Sequence, residues 1–153
     1  MRAMMIRALC IAVLTFAPAA AFADGAVTPA VPSPAGPAKP IVKKIFSGTQ
    51  TALGQDIALP QGNAEVTVLT YEIPPGARLP VHKHPYPRYA YVLAGHLKVS
   101  TGDDTKSFSY GPGDFIIEIL DAWHYGETVG SETVKLLVID QAPPGESNTL
   151  LKQ

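Results

Sequence analysis

Short apolar stretches separated by glycine and proline turns run from about residue 41 to residue 141. The stretch 65–73 alternates apolar and polar side chains and ends at Pro74-Pro75-Gly76, a pattern typical of a half-buried strand followed by a turn. No segment of this region repeats its apolar residues at a helical period over an adequate length. Such spacing favours an all-β sandwich or barrel. The predicted strands are 41–46, 65–73, 89–93, 96–100, 106–110, 114–119, 123–128 and 133–139.

The first 23 residues have the three-part pattern of a secretory signal peptide. Arg2 and Arg7 precede an apolar run over 8–20, and Ala21-Phe22-Ala23 has the form of a cleavage site. The apolar run is short for a membrane span, so an N-terminal anchor is the less favoured alternative. We expect cleavage after Ala23 and a periplasmic or secreted protein, without stable membrane insertion after cleavage.

Composition divides the rest of the chain into three parts. Residues 24–40 contain five prolines among alanines and glycines and are predicted to be an extended linker. Residues 41–142 carry the strands and form the predicted domain. Residues 143–153 begin with Pro143-Pro144-Gly145 and are predicted to be a flexible tail.

Charge and cysteine content exclude several functions. Loss of Arg2 and Arg7 leaves ten Lys and Arg against thirteen Asp and Glu, a net charge of −3 with neutral histidines. No basic patch stands out, so neither nucleic acid nor an anionic membrane is an expected partner. The only cysteine, Cys10, lies in the predicted signal peptide. The mature protein therefore has no thiolate for catalysis and no disulfide.

Three of the four histidines form one constellation. His82 and His84 are two residues apart, so in a strand both side chains point to the same face. His124 lies ten residues after Asp114, at the far end of another apolar strand. Imidazole is the commonest metal ligand, and three of them leave coordination positions free. Polar strand residues satisfied by the backbone are the alternative, which we favour less.

These residues resemble the two motifs of the cupin family. The resemblance covers residues from about 42 to 139 and implies a cupin double-stranded β-helix, that is, a jelly-roll barrel, often a homodimer. It also implies that the three histidines hold a divalent ion of iron, manganese, zinc, nickel or copper. The matching residues are Gly76, His82, His84 and Gly95 for the first motif, and Pro112-Gly113-Asp114 and His124 for the second.

Among the departures from the family pattern, the most consequential is Arg88, which stands where the family usually has a glutamate ligand. Arginine stays protonated, so it cannot ligate a metal and would repel a divalent ion in the same pocket. Three arrangements would resolve this conflict. A small anionic ligand could pair with Arg88 beside the metal; an internal acid, Glu118 or Glu127, could neutralise Arg88; or the histidines and Arg88 could hold a small anion without a metal.

Two classes of function follow. The first is a metal-dependent enzyme of the oxygenase or isomerase type, in which Arg88 binds an acidic substrate and Glu118 or Tyr86 transfers a proton. Thiol dioxygenases resemble this case, because three histidines hold their iron and an arginine holds the substrate. The second is a non-catalytic periplasmic module that binds or senses a small acid or a metal. The intact histidines favour the first, and the missing glutamate favours the second.

Overall fold

Every regular element in the described part of the chain is a β-strand. The computed structural model describes residues 40–59 and 61–153. The predicted signal peptide and all of the predicted linker except Pro40 lie outside the described residues. Across the described ranges, no helix has the length and hydropathy to cross a membrane. The predicted all-β class is confirmed.

The strands agree closely with those predicted between residues 65 and 142. The first is identical to its prediction, and the others with predicted counterparts differ by at most three residues at either end. Two further strands are only two residues long, too short to show a period in the sequence. The order is β1 Glu65–Ile73, β2 His82–Lys83, β3 Arg88–Ala94, β4 His96–Thr101, β5 Ser107–Tyr110, β6 Phe115–Ile117, β7 His124–Val129, β8 Val134–Ala142 and β9 Leu150–Leu151.

Two antiparallel sheets form the jelly-roll barrel. One sheet has the order β1-β8-β3-β6, and the other has the order β5-β4-β7-β2-β9. Their inward side chains are mainly apolar, and burying them provides the main driving force for folding. The core contains Ile73, Ala90, Val92, Leu97, Val99, Ile116, Ile119, Val134, Leu136 and Val138.

Two motif glycines are required by the backbone. Gly95 joins β3 to β4 with a φ of 72°, and a Cβ there would lie 2.7 Å from the carbonyl oxygen of Thr133. Gly113 has a φ of 93° in the turn before β6. In that turn the Gly111 N–H donates a hydrogen bond of 2.7 Å to Asp114 Oδ2. Any other residue would be strained at both positions.

The predicted strand at 41–46 is wrong. These residues are exposed and pair with no strand of the described chain. Ile45 lies in an apolar hollow on the outer face of the first sheet, together with Phe115. The Phe46 ring also packs on Phe115, at 5.2 Å between centroids. Ile45 and Phe46 therefore make side-chain contacts and no backbone ladder, while Ile41 and Val42 are almost fully exposed.

The predicted flexible tail at 143–153 is corrected in part. An exposed turn does follow Pro143, but β9 then pairs with β2 through His82↔Leu151 and Lys83↔Leu150. Asn148 is 6% exposed and hydrogen-bonded. A two-residue strand has no period, so the sequence pattern did not reveal this attachment. The end of the chain forms part of the barrel wall.

Candidate metal centre

The structure brings the three predicted histidine ligands together inside the barrel. His82, on β2, pairs directly with His124 at the start of β7. His84 lies one residue beyond β2 and forms a bridge with Leu120. The three side chains, here called the imidazole triad, are 7%, 1% and 2% exposed for His82, His84 and His124. The predicted convergence of His-x-His with the distant histidine is therefore present.

The triad is nearly equilateral. Its ring centroids are 4.8 Å apart for His82 and His84, 4.6 Å for His82 and His124, and 4.9 Å for His84 and His124. One ring nitrogen from each residue lies within 4.8 Å of the corresponding nitrogens of the other two. Three donors from two strands and one loop thus surround a common point.

Backbone carbonyl groups fix the protonation of all three rings. His82 Nδ1 donates to the carbonyl oxygen of Pro80 at 2.7 Å, and His124 Nδ1 donates to the carbonyl oxygen of Ala122 at 2.8 Å. His84 Nδ1 donates to the carbonyl oxygen of Asn148 at 2.6 Å. A carbonyl can only accept a hydrogen bond, so each neutral ring carries its proton on Nδ1 and its lone pair on Nε2. Histidine ligands in metal sites are oriented in this way.

One of these lone pairs has no partner. The Nε2 atom of His124 is buried and accepts no hydrogen bond from any described residue. Leaving a buried polar atom unpaired is costly, so such an atom calls for an explanation. A divalent ion between the three Nε2 atoms would supply the missing partner. The residues present therefore fit a divalent metal.

Burial also keeps the imidazole triad neutral. It lowers the pKa of His84 to about 2, helped by the positive charge of Arg88. Burial lowers the pKa of His124 to about 4, and the pKa of His82 is lowered for the same main reason. Neutral imidazole is the form that binds a metal, because the proton and the ion compete for the same lone pair.

Arg88 is neutralised inside the protein by an acid that the sequence did not reveal. On β3 it stands directly opposite Asp140 of β8. Its Nε and Nη2 atoms donate to the two carboxylate oxygens at 2.6 and 2.7 Å, and both side chains are buried. Burial alone would lower the pKa of Arg88, but the hydrogen bonds and charge of Asp140 outweigh it and raise that pKa.

The Arg88–Asp140 pair shows how the positive charge of Arg88 is compensated. Of the three arrangements, neutralisation by an internal acid is present, with Asp140 in the role expected of Glu118 or Glu127. Glu127 instead pairs with Lys98. A bidentate contact leaves less of the guanidinium available to a ligand, so a clamp built on Arg88 alone loses much of its basis.

Asn148 connects the arginine pair to the triad. Its Nδ2 donates to Asp140 Oδ1 at 2.6 Å, its Oδ1 accepts from the Tyr86 N–H at 2.9 Å, and its carbonyl accepts from His84. Thr149 adds a 3.0 Å contact to Arg88 Nη2. The ion-pair cluster, as named here, consists of Arg88, Asp140, Asn148 and Thr149.

Sequence reasoning missed the acid and the asparagine for different reasons. On β8 the even-numbered residues from 134 to 138 are buried and apolar, and Asp140 continues that inward series. A charge at an inward position could therefore have been recognised from strand alternation. Asn148 follows an exposed turn, and no pattern around it indicates burial.

The two predicted proton-transfer candidates occupy different positions. Glu118 directly follows β6, its side chain is 11% exposed, and its Oε2 is 3.9 Å from His124 Nε2. Burial raises the pKa of Glu118 to about 7, although Arg88 acts in the opposite direction. Tyr86 is half-buried, and the hydrogen bond that ties it to this region comes from its backbone N–H to Asn148. Glu118 is thus the candidate beside the triad.

A cavity of about 190 Å³ lies beside the triad. Its lining is mainly apolar and includes a few polar side chains, a combination common in sites for small molecules. The lining includes His82 and Arg88, and also Tyr71, Leu79, Pro80 and Leu151.

Comparison with protein families matches residues 69–140 to the cupin domain. A search of curated proteins found no significant match. Among solved structures, an oxalate decarboxylase from Lactobacillus farciminis in complex with formate is 24% identical over 56% of this chain and 26% of its own, with a TM-score of 0.48. A putative sugar phosphate isomerase from Acidithiobacillus ferrooxidans is 30% identical over 51% of each chain, with a TM-score of 0.43.

A third similar structure is the polyketide cyclase RemF from Streptomyces resistomycificus. It is 20% identical over 61% of this chain and 65% of its own, with a TM-score of 0.49. The match thus spans less than two thirds of each of these three chains. The family match covers β3 to β7 completely, together with the His-x-His and Pro-Gly-Asp motifs. Residues 69–140 thus match the cupin domain, and the observed two-sheet barrel has the jelly-roll fold of the cupin superfamily.

Proposed function

We propose that this protein binds one divalent metal ion through His82, His84 and His124. The observation that carries the proposal is the orientation of the imidazole triad. All three Nδ1 atoms donate to backbone carbonyls, so three Nε2 lone pairs are left for a ligand, and that of His124 has no partner in the described chain. Iron, manganese, zinc, nickel and copper all accept imidazole donors.

A metal bound by three side chains retains open coordination positions. When bound, the ion would supply Lewis-acid chemistry to a small molecule that occupies those positions. The cavity beside His82 gives such a molecule access, and its wall of Tyr71, Leu79 and Leu151 would contact the apolar part of it. We propose metal-dependent catalysis of the oxygenase or isomerase type on this basis.

We propose that the small molecule is anionic, and that the metal supplies most of its attraction. Arg88 lines the same cavity, but Asp140 already accepts hydrogen bonds from two of its nitrogens. A carboxylate would therefore be drawn first to the divalent ion, with the paired Arg88 in a supporting role. Thermal shifts across a panel of small carboxylic acids, with and without metal, test this. Equal shifts in the chelated protein would contradict it.

The metal proposal is tested by titrating untagged protein after chelation with Mn²⁺, Fe²⁺ or Zn²⁺. We expect one ion per wild-type chain. In His84→Ala we expect an affinity at least about 100-fold lower, because the loss of a residue that only supports a ligand already lowers metal affinity by up to about 100-fold. His96→Ala is the matched control, since His96 is exposed and outside the triad. Equal affinity in all three proteins would refute the proposed centre.

A non-catalytic binding or sensing module is the second candidate function. The observation in its favour is that Arg88 stands where the family pattern has a carboxylate ligand. Arg88 forms a buried ion pair with Asp140. Such a protein would bind metal and small acid without converting the acid. Metal-loaded protein incubated with the best-binding acid separates the two: a new product supports the enzyme, and unchanged acid supports the module.

Export and self-association are further parts of the proposal. Cleavage after Ala23 predicts a mature chain that begins at Asp24, which mass spectrometry of the protein recovered from the periplasm or medium would detect.

For a homodimer, the supporting surface is the outer face of the first sheet, where Tyr89, Tyr91 and Phe115 line an apolar hollow and Val68 is 57% exposed. Val68→Glu should give monomers in light scattering if this face joins two copies.

A further inference from the structure

We infer that Glu118 is the fourth, carboxylate ligand of the metal, supplied from the residue that follows β6, beside the strand that carries this ligand in the family pattern. The inference rests on the proposed metal centre. It explains how the chain can have an arginine at position 88 and still offer a carboxylate to the ion.

The sheet register places Glu118 across from Arg88. Strands β3 and β6 pair as Tyr91↔Phe115, Ala90↔Ile116 and Tyr89↔Ile117. Continuing this register by one residue sets Glu118 opposite Arg88, and the Glu118 N–H donates to the Arg88 carbonyl at 3.0 Å. Residues directly opposite in an antiparallel pair point to the same face of the sheet. A carboxylate moved across this ladder therefore still faces the barrel interior.

The distance from Glu118 to one member of the triad, His124, suits a shared ion. Glu118 Oε2 lies 3.9 Å from His124 Nε2, the ring nitrogen that has no hydrogen-bond partner in the described chain. Two ligands that each lie about 2.0–2.2 Å from one ion can be separated by up to about 4.2 Å. The carboxylate and the unpartnered nitrogen are thus spaced as two ligands of the same ion can be.

Among the described residues, the charge of Glu118 also has no partner committed to it alone. The side chain is mostly buried, and burying a carboxylate is costly unless a cation compensates it. Arg88 is the nearby cation, but both Asp140 oxygens accept hydrogen bonds from it. A divalent ion in the triad would compensate Glu118 and would leave the arginine pair undisturbed.

Metal affinity of Glu118→Gln tests the inference, because glutamine keeps the shape and removes the charge. We expect Mn²⁺ affinity, measured by chelator competition, to fall at least about 10- to 100-fold. The absorption spectrum of the Co²⁺-substituted protein should also change. Glu127→Gln is the matched control, since Glu127 pairs with Lys98 away from the triad, and it should behave as wild type. If Glu118→Gln fails to fold, Glu118→Asp takes its place and should show weakened affinity and an altered spectrum.

Three outcomes are distinguishable. Weakened affinity with an altered spectrum in the Glu118 variant alone supports the inference. Wild-type affinity and an unchanged spectrum in that variant would overturn it, while the metal centre of the three histidines would stand. A wild-type chain that binds no metal would overturn the proposed function and this inference together.

Discussion

The barrel contains two clusters of buried polar side chains, which differ in whether all their hydrogen-bonding atoms have partners in the described chain. In the ion-pair cluster, Arg88 and Asp140 meet in a bidentate contact that Asn148 and Thr149 extend. In the imidazole triad, the Nδ1 atoms are paired, and the Nε2 atom of His124 has no partner in the described chain. A buried polar network with all its partners makes a fold more rigid, whereas a buried atom without one calls for an explanation such as a missing ligand. The comparison therefore separates structural residues from the residues proposed to bind a metal.

The largest effect is expected from breaking the ion-pair cluster. Asp140→Ala leaves Arg88 buried without its carboxylate, and removing one partner of a buried ion pair typically costs about 3–5 kcal/mol of folding free energy. Denaturant unfolding measures this cost. Glu72→Gln is the matched control, because Glu72 and Lys135 form an exposed pair that should contribute less than about 1 kcal/mol. Similar losses in both variants would contradict the comparison.

The pH dependence of the chelated protein reports on the triad. The histidines have folded pKa values below 6.5, so the unfolded chain binds more protons as the pH falls from 6.5 towards 4.5, and stability falls with it. Glu118 acts in the opposite direction, because its raised pKa stabilises the folded chain below pH 4.5. This stabilisation is lost as the pH rises through about 7. Three imidazoles outweigh one carboxyl group in this window.

The measurement is the thermal midpoint of the chelated protein at pH 6.5, 5.5 and 4.5. We expect it to decrease at each step, and to decrease less in His84→Ala, which loses one buried imidazole. Glu118→Gln should decrease more steeply than wild type, because the opposing carboxyl group is gone. A midpoint that stays constant or rises on acidification would show that the triad is not buried in neutral form.

A smaller effect is expected at the residue that joins the two clusters. Asn148→Ala removes the side-chain contacts to Asp140 and Tyr86 and should cost about 1–3 kcal/mol. It keeps the backbone carbonyl that orients His84, so metal affinity should change little. Deletion of residues 148–153 removes that carbonyl and should weaken both stability and metal binding. Parallel unfolding and titration experiments check this, and a large loss of affinity in Asn148→Ala would contradict it.

The smallest effect is expected at Lys83, the residue between the two histidines of the His-x-His motif. Lys83 pairs with Asp121, whose side chain is 64% exposed. Lys83→Ala should cost less than about 1 kcal/mol and leave the metal affinity unchanged, because solvent screens the pair and alternate strand residues point away from the triad. A marked loss of affinity on titration would show that the motif does not obey strand alternation.

Most of the fold follows from local pattern, and part of the site does too. The alternation in 65–73 and the glycine turns gave the strands, and the spacing of His82 and His84 indicated one shared face. The segment 41–46 has an apolar pattern but no strand partner, and only its Ile45 and Phe46 lie against the region of Phe115. Asp140 was overlooked although β8 places it at an inward position, and Asn148 carries no local signal.

The sequence by itself determined the β-rich architecture, the turns that need glycine, and the shared face of His82 and His84, because these depend on periods and spacings within single strands. That His124 joins these two histidines depends on the pairing of β2 with β7. Only the tertiary structure decided that Asp140 neutralises Arg88, that the end of the chain orients His84, and that Glu118 lies beside His124. The physical reason is that hydrogen bonds and ion pairs between distant strands depend on sheet register and barrel closure. Those are properties of the whole chain and leave no periodic trace in any one segment.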